Sequence, residues 1–67
     1  MNDQEIVDRI SKVESFAGMT VNEMLYHCNL DKEFYDSINS DKIVAEKILQ
    51  LLKIGQENIN SILNKNI

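Results

Sequence analysis

The apolar residues of this chain fall into short blocks at three- and four-residue steps, and turn-forming residues cut each block before it reaches the length at which a helix stands alone in water. Ile6, Ile10, Val13 and Ala17, with Val7 and Phe16 beside them, make the first block. Met24, Leu25 and Cys28 make the second; Val44, Ile48, Leu51 and Leu52 form a later stripe, followed by Ile59, Ile62 and Leu63. Helices of that size hold only by burying one face against each other, so the pattern predicts an all-α domain of five short helices. Proline is absent and glycine occurs twice in 67 residues, which argues against a turn-rich all-β chain; 43% hydrophobic residues argue against a disordered one. A chain this short buries only about 60% of its unfolded surface, so residues 1–67 are expected to form one domain around one core. That core is expected to hold Ile10, Val13, Met24, Leu25, Cys28, Leu30, Ile38, Val44, Ile48, Leu52 and Ile59.

The punctuation between blocks sets the boundaries. The acidic opening "NDQE" suits the positive end of a helix, which is expected to run from about Asp3 to Phe16. Gly18 supplies the permissive backbone that a helix C-terminus favours, and "TVNE" then reads as a capping box, with Thr20 accepting from the Glu23 amide while Glu23 reaches back. Helix two starts there, leaving Asn22, Glu23, Tyr26 and His27 outward or at the rim. Asn29 tolerates left-handed geometry, Leu30 is apolar, and Asp31 is the expected N-cap of a third helix, Lys32 to about Ile38. "NSD", Asn39 to Asp41, caps a fourth helix; Ile54 plugs the turn after it, Gly55 opens a fifth, and the tail "NKNI" is expected to fray.

Seven Lys plus Arg stand against eleven Asp plus Glu, a net charge of −4. Non-specific DNA affinity comes almost wholly from cation–phosphate contacts, so this balance counts against strong nucleic-acid binding while leaving room for a local cluster of lysines. The lone cysteine has no partner for an internal disulfide, no apolar run reaches the ~18 residues of a membrane span, and "MNDQEIVDRI" has neither a basic start nor an apolar stretch. A cytoplasmic protein with no membrane segment is expected. His27 and Cys28 are neighbours on a helix, so their side chains diverge by ~100°, and no second Cys or His completes a zinc site. With no phosphate-cradling glycine loop or hydrolase triad either, the expectation is no enzyme, no metal and no cofactor.

From Ile6 to Leu63 the chain resembles the Cro/lambda-repressor family of helix-turn-helix proteins, with the motif at about residues 20–38. A polar N-cap opens helix two, here Thr20; Glu23-Met24 stand for the family's Glu-Leu pair, and Cys28 for the buried aliphatic that closes it. Asn29 corresponds to the turn's glycine, Leu30 to the buried residue after it, and Tyr35 and Ile38 to the two apolar anchors of the recognition helix. Downstream, "KIVAEKILQLLKIGQENINSIL" is similar to the fourth and fifth helices, with Leu52 and Ile54 as the closing apolar pair. Three positions depart from the pattern: Leu25 stands where a small residue is usual, Tyr35 replaces an Ile or Val, and Val21 replaces a phosphate-touching glutamine.

The resemblance implies a lambda-repressor-like fold and a small phage- or plasmid-type regulator that reads double-stranded DNA through the third helix as a homodimer on two half-sites. Carried over residue by residue, its base-reading positions fall on Lys32, Glu33, Asp36 and Ser37, with Thr20 and Lys42 placed for the backbone. The alternative is a scaffold turned to protein contact, an adaptor, inhibitor or DNA mimic that uses Phe34, Tyr35 and their acidic neighbours. Phe34 is pivotal: exposed, it marks a protein-contact patch; buried, it is core. Each charged position also has its ordinary reading as a solvated face. Tyr26 is expected either along a phosphate or with its ring over the core rim.

Overall fold

A computed structural model describes residues 2–65 of the chain. Five α-helices follow one another, α1 Asp3–Ser11, α2 Val21–His27, α3 Asp31–Ser40, α4 Lys42–Leu51 and α5 Gln56–Lys65, and there is no strand among the described residues. The organising element is α4, which packs against α1, α3 and α5, while α2 packs on α3. Its inward residues Ala45, Ile48 and Leu49 are wholly buried. Around them lie Ile6, Leu25, Cys28, Leu30, Phe34, Ile38, Leu52 and Ile59, with Ile10, Val13, Met24 and Val44 partly buried against the cluster. The expected core is therefore found as a core or its margin, and Ile6, Phe34, Ala45 and Leu49 complete it.

The sequence overextends α1. It begins as expected, with the Asn2 side chain accepting from the Glu5 amide, but it ends at Ser11 and not near Phe16. The Ser11 hydroxyl donates to the Asp8 carbonyl, and the Val13 amide closes a tight turn onto Ile10. Val13 and Phe16 still reach the core, from irregular chain, because a loop can present residues three apart as well as a helix can. Gly18 accordingly does not end α1. It has φ 77° inside a turn closed by the Met19 amide on the Phe16 carbonyl, at the third turn position, where a positive φ favours glycine.

Two helices end in the same way. After α2, the Asn29 amide donates to Tyr26 and the Leu30 amide to Leu25; after α4, Lys53 donates to Gln50 and Ile54 to Leu49. Asn29 and Lys53 are left-handed, with φ 58° and 65°. These paired bonds are the Schellman arrangement, in which the residue after the left-handed one folds back on the helix's last turn. Leu30, with no exposed surface, and half-buried Ile54 supply that apolar contact. Asp31 is the first residue of α3, not its cap; Leu30 sits at the cap position with no side-chain bond. Asp41 does cap α4, accepting from the Ile43 amide, while Asn39 and Ser40 prolong α3. Gly55 precedes α5, and its carbonyl accepts the Ile59 amide. Of the tail expected to fray, Asn64 and Lys65 continue α5, and Asn66 and Ile67 lie outside the described residues.

Candidate nucleic-acid interface

The region that carries the resemblance is built by α2, the turn at Asn29 and α3. The capping box at the start of α2 is present in both directions: the Glu23 amide donates to Thr20 Oγ1 at 3.2 Å, and the Thr20 amide donates to Glu23 Oε1 at 3.1 Å. The Thr20 amide, and the Thr20 hydroxyl after it, hold the Glu23 carboxyl below its ordinary value of 4.5, with His27 one turn on adding a smaller pull in the same direction. At the far end, Leu25, Cys28 and Leu30 close the angle between α2 and α3. Leu25, which stands where a small residue is usual, has no exposed surface, so its bulk is taken into the core. Burial pushes the Cys28 thiol above 9.0, as befits a packing residue.

One turn of α3 differs from the expected register. Phe34 is 2% exposed and Tyr35 44%, so the inward anchors are Phe34 and Ile38 in place of Tyr35 and Ile38. The reason lies across the turn, on α2. The Tyr35 hydroxyl donates to Asn22 Oδ1 at 2.6 Å, a partner available at the surface, and the purely apolar phenylalanine takes the interior place. The two rings meet edge to face with centroids 5.4 Å apart. A shallow cleft of about 320 Å³ opens beside them, lined by Val21, Asn22, Phe34, Tyr35 and Ile62.

The expected site residues separate into two groups. Lys32 and Asp36 are exposed on α3, and Lys42 is exposed at the first position of α4. Glu33 and Ser37 are only partly exposed, and both make internal contacts: Glu33 Oε1 lies 3.4 Å from Arg9 Nη1, and the Ser37 hydroxyl donates to the Glu33 carbonyl at 2.6 Å. Arg9 was not singled out in the sequence, where it is one cation of an amphipathic helix. It also donates to the Asn29 carbonyl at 2.6 Å, so it ties α1 to the left-handed turn. Nothing in residue spacing links positions 9 and 29; only the fold does. Thr20 is exposed, with its oxygen engaged by the Glu23 amide.

Of the residues named for protein contact, Phe34 belongs to the core, and Tyr35 alone keeps an accessible ring. Tyr26 is 71% exposed, so its ring stands away from the core rim, edge-on to His27 at 5.7 Å. Among the described residues, no three His, Cys, Asp or Glu are grouped to hold a metal ion, and no helix is long and apolar enough to cross a membrane. No protein-family model, curated protein or solved structure matches the chain.

Proposed function

We propose that this domain is a small DNA-binding transcriptional regulator of lambda-repressor-like fold, which lays α3 in the major groove and acts as a homodimer. The observation that carries the proposal is the α2–turn–α3 unit. Two short helices are locked together by left-handed Asn29 and fully buried Leu30, and the outer face of the second helix is left polar and accessible. Such a unit can enter a groove about 12 Å wide and present side chains to base edges.

Electrostatics oppose this reading less than the composition implies. Of the four charged residues in α3, Glu33 is paired with Arg9 and Asp31 is partly buried, which leaves Lys32 and Asp36 on the exposed surface. Lys32 can donate to guanine or phosphate, and Asp36 can accept from a cytosine amino group. Lys42 lies one residue past Asp41, next to the end of α3, and is placed for a backbone phosphate.

The test is a fluorescence anisotropy titration of genomic DNA fragments at low and at physiological salt. Saturable, sequence-selective binding that weakens with salt and with Lys32→Ala is the expected result. No binding even at low salt would overturn the proposal and favour a protein-contact role centred on Tyr35.

A further inference from the structure

Burial of Phe34 in place of Tyr35 turns α3 about its axis, and the turn changes which side chains face outward. At about 100° per residue, Phe34 and Ile38 define an inward direction whose opposite falls on Asp36; Lys32 and Asn39 lie about 40° and 60° from it on one side, and Ser40 and Glu33 about 40° and 60° from it on the other, where the Ser40 hydroxyl is bonded to the Asp36 carbonyl and Glu33 is paired with Arg9. Had Tyr35 and Ile38 been the anchors, the outward direction would lie about 50° further round, next to Glu33. Three contacts agree with the observed setting. Arg9 lies against Glu33, the Ser37 hydroxyl is bonded within the helix, and Tyr35 reaches sideways to Asn22.

Resting on the DNA-binding reading above, we infer that α3 reads bases through Lys32, Asp36 and Asn39, that Asn39 selects an adenine, and that Glu33 and Ser37 brace the motif without touching bases. Asn39 is exposed, and its Nδ2 donates to the Tyr35 carbonyl at 3.2 Å. That bond uses one amide proton and fixes the amide, leaving the second proton and the Oδ1 acceptor. A donor and an acceptor side by side match adenine's N7 and N6 amino group in the major groove. Lys32 and Asn39 are seven residues apart, about 10 Å along the axis, so the three side chains span about three base-pair steps.

The experiment is selection of a preferred site from a random duplex library with the full chain, followed by affinity measurements on that site and its single-base variants. Helical circular dichroism and melting are checked for every variant. Asn39→Ala is expected to keep the fold and to lose roughly ten- to hundredfold discrimination at one adenine position, leaving preference elsewhere in place. Asn39→Gln, which retains the amide, restores a preference for adenine. Glu33→Gln and Ser37→Ala are expected to select the same site as the unaltered chain. If Asn39→Ala selects an unchanged site, or if Glu33→Gln or Ser37→Ala changes it while the fold is kept, the inference is overturned and DNA binding stands. If the unaltered chain selects no site at any salt concentration, both fall together.

Discussion

Leu30 is the residue on which the motif turns most directly. It has no exposed surface, its amide bonds back to Leu25, and the Phe34 amide bonds to its carbonyl, so it joins the end of α2 to the start of α3. Leu30→Ala removes the plug from between them without offering a route for collapse, and a loss of ~2–5 kcal/mol is expected in denaturant melts. A loss under ~1 kcal/mol would mean that the site is not closed. Cys28, two positions earlier, makes a chemical prediction. Its thiol is buried and pushed above 9.0 by desolvation, so at pH 8 a thiol-specific reagent should label the folded chain slowly and the denatured chain fully. Rapid labelling of the folded chain would place the thiol at the surface. By linkage, the stabilisation associated with the protonated thiol is fully present below 9.0 and is lost as pH rises through the higher folded value. Both residues were legible in the sequence because each follows a strong local rule, an apolar residue after a left-handed turn and a thiol on an inward helical position.

At the scale of the element, the caps at Thr20 and Asp41 were legible, while those expected at Gly18 and Asp31 are not found. The Thr20–Glu23 box and the Asp41 cap are short-range chemistry, fixed by residues three or fewer apart, and both are present. Thr20→Ala should therefore cost ~1 kcal/mol through lost capping of α2, with unchanged stability showing that the helix begins elsewhere. Glu23 adds a pH signature. Its folded carboxyl lies below 4.5, so its contribution is present above 4.5 and is lost as pH falls through the lower folded value. Glu23→Gln, which can still make a capping box, should flatten the melting temperature across that acid range; an unchanged acid slope would assign the dependence to other carboxylates. The end of α1 and the face of α3 were not legible in the same way. Val13 and Phe16 keep helical spacing outside any helix, and the choice between Phe34 and Tyr35 rests on Asn22, thirteen residues away, offering a partner to the tyrosine hydroxyl. Lys53 is the element-scale surprise, a left-handed lysine where Asn29's counterpart had no sequence cue.

For the whole molecule, the measure that best tests the proposed DNA binding against the charge of the chain is its salt dependence. The principal extents are 32 × 26 × 17 Å, so one copy is about as long as the 34–36 Å between the two half-sites of the proposed homodimer. Each copy brings few cations to that surface. Lys32 and Lys42 are exposed at or next to α3, while Arg9 is held against Glu33 and Lys47 lies 3.3 Å from Asp3. With Lys32 on a base and Lys42 on a phosphate, one phosphate contact per copy gives a slope of log affinity against log salt of about −0.9 for one copy and about −1.8 for a pair, because each neutralised phosphate contributes about −0.9. Lys42→Ala should reduce the slope by about 0.9 per copy and weaken all sequences alike, whereas loss of a base contact changes preference with little change in slope. A net charge of −4 adds long-range repulsion that the same salt screens, which offsets part of the release and makes the dependence shallower still. A slope steeper than about −6 would require cations that this surface does not present and would move the DNA to another face. In the proposed function a shallow slope would also set where selectivity originates: with so little phosphate attraction, discrimination between sites would depend on the short row of polar side chains on the outer face of α3.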